Sequence, residues 1–123
     1  MLGCSHYPLP LSAVQDVVIT GIGIVCPLGV GREAVWLAVQ RRLSGVRLLP
    51  HLVESNYPAP IGGMVPAFEP KQYVKPRKSL KVMCRETQLG FTAAELAWED
   101  ADLDSASLDP ERIGVVLGTH MFR

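Results

Sequence analysis

The segment from Asp16 to Gly29 constrains this chain most, because an apolar β-branched run breaks there into a loop punctuated by glycine and proline. Val17, Val18 and Ile19 suit a strand covered on both faces in a parallel sheet. Gly21 and Gly23 then admit backbone conformations that a side chain forbids, and Pro27 fixes one further dihedral before Gly29 and Gly31 lead into a helix. The predicted order is strand, sharp turn, helix. Such a turn invites comparison with a dinucleotide-binding loop, whose glycines bring phosphate to a helix N-terminus. The spacing argues against it. The third glycine of that motif falls at Cys26, and Pro27 interrupts the helix that should begin there. Gln40, Arg41 and Arg42 occupy the region where an acidic residue is expected.

Further along, Val35, Trp36, Val39 and Leu43 recur at helical spacing, which predicts an amphipathic helix over Glu33 to Leu43 with Arg32, Arg41 and Arg42 toward solvent. Ser44-Gly45 ends it. Between Pro50 and Pro76 the prolines Pro50, Pro58, Pro60, Pro66, Pro70 and Pro76 forbid a long helix, while Ile61 to Val65 supplies one short strand. A long helix is predicted from about Ser79 to about Ala101, roughly 34 Å at 1.5 Å per residue. Its expected buried stripe is Leu80, Met83, Thr87, Phe91, Ala94 and Trp98, with Ser79 as the cap. Gly90 sits inside that helix at a cost of about 1 kcal/mol against alanine, which close helix packing would explain. Asp109-Pro110-Glu111 makes a turn, and Ile113 to Leu117 is again a β-branched strand.

The balance of 12 basic and 12 acidic residues gives no global field to recruit nucleic acid or an anionic membrane. No apolar stretch is long enough to span a bilayer, and residues 1–13, with Pro8 and Pro10, read as a loose leader, so a cytoplasmic protein is expected. Cys4, Cys26 and Cys84 are odd in number and irregularly spaced, which suggests neither a disulfide framework nor a zinc site.

In its opening run the chain resembles the β-ketoacyl-acyl carrier protein synthases, condensing enzymes of the thiolase superfamily, whose first strand runs into T-G-x-G-x-x-S-P-L-G. Here Cys26 stands where that serine usually stands. The resemblance continues through Glu33 and Trp36, through Arg41 with Leu43-Ser44-Gly45-Val46, through Arg77-Lys78 with Lys81 and Met83, and through Arg112-Ile113-Gly114-Val115-Val116-Leu117-Gly118. These separated blocks, in the right order, cover nearly everything from Asp16 onward, but about the first third of a full-length member.

The resemblance implies an α/β, thiolase-like fold, incomplete here: residues 14–123 would be the first strands and helices of the N-terminal half. It implies acyl transfer to a cysteine and decarboxylative condensation of a malonyl thioester, in fatty-acid or polyketide synthesis. The family's nucleophilic cysteine, two histidines and lysine fall beyond the last strand of this sequence, so residues 1–123 are expected to hold no catalytic residue and to be inactive alone. Cys26 matches the structural serine and reads as a small buried packing residue. Cys84 stands where relatives carry aspartate and reads as a helix-face residue. His6 and His51 read as solvated, and His120 matches a variable position. No cofactor and no metal are implied.

The functional patch the resemblance carries over is Arg77, Lys78 and Lys81, widened by Lys71, Lys75 and Arg85. Relatives use a basic cluster at these positions to land the acidic acyl carrier protein. Val82 replaces a lysine common in the family. The competing reading is a solvated basic first turn. Gly21, Gly23, Pro27 and Gly29 are assigned to the structural loop. Expected partners are acyl carrier protein and, in full-length members, a homodimer mate or synthase subunit. Two other readings stay open: a non-catalytic accessory that binds carrier protein or a synthase subunit, and, last, a small nucleotide-binding module. A sheet of two or three strands would leave edges and an apolar face open, making the chain marginal or aggregating alone.

Overall fold

The computed structural model describes residues 16–66, 68–75 and 77–118. The expected leader, His6, Cys4 and His120 lie outside these residues. In chain order the elements are β1 (Val25–Cys26), β2 (Gly29–Val30), α1 (Arg32–Gln40), β3 (Val46–Leu48), α2 (Pro50–Glu54), β4 (Ile61–Gly63) and α3 (Arg85–Asp100). Short 3₁₀ turns occupy Pro70–Gln72, Arg77–Lys81 and Pro110–Arg112. Two antiparallel ladders form: β1 with β2, where Val25 faces Val30 and Cys26 faces Gly29, and β3 with β4, where Arg47 faces Gly62.

The predicted first strand differs from the observed one. Residues 16–24 are extended but join no ladder, and Val17, Val18 and Ile19 are 96%, 72% and 84% exposed. The same holds for the predicted strand at Ile113 to Leu117, where Val116 is fully exposed. Both runs have the composition of buried strands, but a strand needs a neighbour's N–H and C=O groups, and among the described residues no strand pairs with either. The first observed ladder instead forms across Pro27-Leu28, which turns the chain back on itself within two residues.

What holds the extended segment in place is helix α3. A Cβ on Gly21 would collide with the carbonyl of Ala97 and approach the Ala101 Cβ to 2.7 Å, and one on Gly23 would collide with the carbonyl of Ala93. The two glycines therefore serve close backbone approach to a helix whose facing residues, Ala93, Ala97 and Ala101, are themselves small. The conformational freedom expected for them is not what they supply: positive φ occurs further on, at Gly29 (157°) and at Gly31 (91°), which caps the start of α1. Pro27 lies against Gly45 and Gly63, whose added Cβ atoms would fall 2.7 and 2.8 Å from its ring carbons. Gly29 is buried, and its added Cβ would meet that of Ala34 at 3.1 Å.

Asp100 completes the junction. One carboxylate oxygen accepts the Ile22 N–H at 2.9 Å, and the other pairs with the Arg32 guanidinium at the start of α1. A single side chain at the end of α3 thus joins the extended segment and the first helix.

The predicted α1 has the right place but not the right burial. Its buried residue is Ala38, whereas Trp36, Val39 and Leu43 are 57%, 51% and 57% exposed. The prolines do preclude a long helix between 50 and 76, although Pro50 at the first helical position starts the short α2. Among the described residues the buried hydrophobic set is Ala38, Leu49 and Val74, and Thr92 is fully buried, its hydroxyl donating to the Gln88 carbonyl at 2.8 Å. The chain exposes 11030 Å². A compact monomer of 13.4 kDa would expose roughly 6,500 Å². The apolar faces are made, and most are left uncovered.

The long helix predicted from Ser79 divides in two. Arg77–Lys81 is 3₁₀, and α3 begins at Arg85 after an extended Cys84. Gln88 reaches back to donate to the Met83 carbonyl at 3.0 Å, occupying a group that a continuous helix would use internally. The expected stripe is displaced as a result: Thr92 is buried while Thr87 and Ala94 are exposed. Gly90 meets nothing closer than Leu117 at 4.0 Å, an ordinary contact that does not itself demand glycine.

Replacing Gly23 with alanine forces α3 away from the extended segment and should cost about 1–3 kcal/mol, the usual range for overpacking. Gly114→Ala, at a position with nothing within 4 Å, is the matched control. Urea denaturation of the two variants should show a lowered midpoint for Gly23→Ala alone.

Candidate carrier-protein surface

From Lys71 to Arg85 the sequence holds six cations, Lys71, Lys75, Arg77, Lys78, Lys81 and Arg85, and no acidic residue. All six are exposed. Five of them sit on three elements, with Lys75 between two of these, and the 3₁₀ turn at Pro70–Gln72 touches both the Arg77–Lys81 turn and α3. The ion pairs among the described residues both involve Arg32, so none of the six is neutralised by one. Half of the chain's twelve cations thus fall within residues 71–85, and among the described residues none of them forms an ion pair.

Within it, the three residues singled out from sequence are not equivalent. A 3₁₀ helix repeats every three residues, so Lys78 and Lys81 stand one above the other, while Arg77 is turned about 120° away and shares its edge with Leu80. Leu80 is half-buried.

The support beneath comes from an aromatic pair not anticipated from sequence. Phe68 and Tyr73 stack with ring centroids 6.4 Å apart and planes 8° from parallel, and the Arg85 guanidinium lies 5.6 Å from the Phe68 centroid. Val74 is buried beside them. Glu69 caps the 3₁₀ turn, accepting the Lys71 backbone N–H at 3.3 Å. Local sequence shows Phe68 and Tyr73 only as a five-residue spacing around a proline; the contact to Arg85 spans seventeen positions, which no periodicity reveals.

At the start of α3 the Glu86 carboxyl is held below its ordinary value of 4.5, chiefly by its own backbone N–H, then by the Cys84 side chain and by the nearby Arg85 charge. A carboxylate in a first helical turn marks an α-helix N-terminus, and this signal was available in the sequence as the true start of α3.

The other singled-out groups are placed apart. Gly21, Gly23, Pro27 and Gly29 belong to the framework around α3 and the first hairpin. Cys26 is half-buried in β1, less enclosed than expected. Cys84 precedes α3 instead of lying on its face, with its Sγ 3.1 Å from Thr87 Oγ1. Neither thiol is hydrogen-bonded to a histidine among the described residues, and His51 is exposed on α2. An apolar groove also opens between the extended segment and α1, lined by Ile22, Ile24, Val35, Trp36 and Val39. No helix among the described residues is long and apolar enough to cross a membrane.

A family model described as beta-ketoacyl synthase, N-terminal domain, matches residues 14–123. The chain belongs to the beta-ketoacyl synthase family. It is 37% identical over 106 residues to the tetracenomycin polyketide synthase ketoacyl synthase beta subunit of Streptomyces glaucescens, an alignment covering 86% of this chain and 26% of that protein. The corresponding alpha subunit is 36% identical over 108 residues, with 87% and 25% covered. The 3-oxoacyl-[acyl-carrier-protein] synthase 2 of Coxiella burnetii is 34% identical over 105 residues, with 85% and 25% covered. The chain spans about a quarter of the length of these curated relatives. The mixed α/β elements described above agree with a part of such a domain.

The depressed Glu86 value has a direct consequence. A carboxylate whose folded value lies below its unfolded one contributes stability above the unfolded value, and that contribution is lost as pH falls through the folded one. Urea midpoints followed from neutral pH to below 4.5 should therefore decline through a component that Glu86→Gln lacks.

Proposed function

We propose that residues 14–123 are the opening part of the N-terminal half of a thiolase-like β-ketoacyl synthase, acting in acyl transfer and decarboxylative condensation on carrier-bound thioesters. The observation that carries the reading is the unneutralised basic surface centred on Lys78 and Lys81. An acidic partner is steered and oriented by such a field, with the approach rate falling as salt is added. Acyl carrier protein is the acidic partner that the family's chemistry requires.

The placement of the two apolar extended runs supports the thiolase-like layering. Gly21 and Gly23 lie on Ala93, Ala97 and Ala101 of α3, and Leu117 lies against Gly90 of the same helix. One helix laid across two extended β-branched runs is the arrangement of a βαβ unit, whose strands are buried once neighbouring strands join them. The high exposure of Val17 to Ile19 and of Val115 to Leu117 then marks surface that the rest of a synthase fold would cover.

In this reading residues 1–123 supply a docking surface and framework, and contribute no nucleophile. A second reading is a non-catalytic accessory that binds carrier protein or a synthase subunit. Its support is that this chain is almost equally similar to an alpha and a beta ketoacyl synthase subunit of one polyketide system.

The test is a titration of isotope-labelled acyl carrier protein with this chain. Reversing charge at both Lys78 and Lys81 should weaken binding by at least about ten-fold, and raising salt should weaken the unaltered chain in the same direction. Carrier spectra that do not change on adding the unaltered chain would overturn both readings. Acyl transfer from a labelled acyl thioester onto Cys26 or Cys84 would overturn the assignment of residues 1–123 as framework.

A further inference from the structure

Arg85 is the first residue of α3, where the positive end of the helix macrodipole disfavours a cation. Among the described residues no carboxylate forms an ion pair with it; what lies against its guanidinium is the face of Phe68 at 5.6 Å, itself backed by Tyr73. Arg85 is exposed, and the 3₁₀ turn that carries Lys71 touches both α3 and the Arg77–Lys81 turn that carries Lys78 and Lys81. Lysine side chains on this surface are flexible stems that lose rotamer freedom when they bind. A planar guanidinium already laid on an aromatic ring has given up much of that freedom beforehand, and its outer N–H groups suit a carboxylate.

Resting on the carrier-docking reading above, we propose that Arg85 is a pre-set anchor of that surface, binding a carboxylate of the acidic carrier, and that Phe68 is the positioning residue that sets it. The opposing consideration is that the stack only staples the 3₁₀ turn at Pro70–Gln72 to α3. The two differ in what they predict for binding when both residues are altered. If Phe68 acts through Arg85, its effect on affinity vanishes once the guanidinium is gone. If it acts through the fold, its effect persists.

The experiment measures carrier-protein affinity by titration for the unaltered chain and for Arg85→Ala, Phe68→Leu, the double variant and Phe68→Tyr, with the thermal midpoint of each recorded. Arg85→Ala should weaken binding about five-fold and Phe68→Leu about three-fold, from the strength of an exposed cation–π contact. The double variant should match Arg85→Ala, and Phe68→Tyr, which keeps the ring, should restore affinity. Unchanged affinity in Arg85→Ala, or a Phe68→Leu effect that adds undiminished to it, overturns the proposal. Should Phe68→Leu fail to fold, the comparison of Arg85→Ala with Arg85→Lys decides: the lysine keeps the charge without the planar stack and should remain weaker than arginine, and equal affinity overturns the positioning role. Loss of binding on charge reversal at Lys78 and Lys81 with Arg85→Ala unaffected rejects this inference alone, whereas no response to the lysine reversals rejects the docking reading beneath it. Equal affinity for random-sequence single-stranded RNA, lost through the same variants, shows a general polyanion surface and overturns the proposal.

Discussion

The contact on which the remaining structure depends is the close approach of the extended segment to α3 at Gly21 and Gly23. Backbone this near to a helix is possible only because neither partner has bulk: glycines on one side, Ala93, Ala97 and Ala101 on the other. Asp100 then fixes the register by holding the Ile22 amide and the Arg32 guanidinium together. From this junction follow the direction in which the first hairpin leaves, the start of α1, and the position of the helix whose other end carries the basic surface.

What the sequence made legible was the chemistry of local order. The glycine and proline spacing located the turn, the 3.6-residue pattern located α1, and the basic residues around Arg77, Lys78 and Lys81 were marked by the family resemblance. Exposed charges are readable because their neighbours along the chain are also their neighbours in space. The strands were not legible in the same way. Val17 to Ile19 and Ile113 to Leu117 have the composition of buried strands, yet strand formation is decided by a partner elsewhere in space, which composition does not contain. Trp36, Val39 and Leu43 show the same separation between pattern and outcome: the stripe exists, and nothing described lies over it.

The candidate site was legible in its charges and not in its support. Arg77, Lys78 and Lys81 were marked together by the family resemblance, and only the 3₁₀ turn aligns Lys78 with Lys81 and sets Arg77 apart. The missed boundary at Cys84 had a visible cue in Glu86, overridden by the apparent continuity of the apolar pattern from Leu80 onward. The aromatic pair under Arg85 depends on the chain reversing through two short turns, and long-range contacts of that kind leave no imprint on spacing.

Helix α3 also separates charge. Its N-terminal end adjoins the six cations of residues 71–85, while residues 95–111, from its last turns onward, carry seven carboxylates and no lysine or arginine. Sixteen residues place these groups about 24 Å apart. The molecule is neutral in sum and strongly dipolar in distribution, with each pole of the same sign as the helix end beside it. Near its isoelectric point of about 6.8, copies in dilute buffer should attract pole to pole, and added electrolyte should dissolve them.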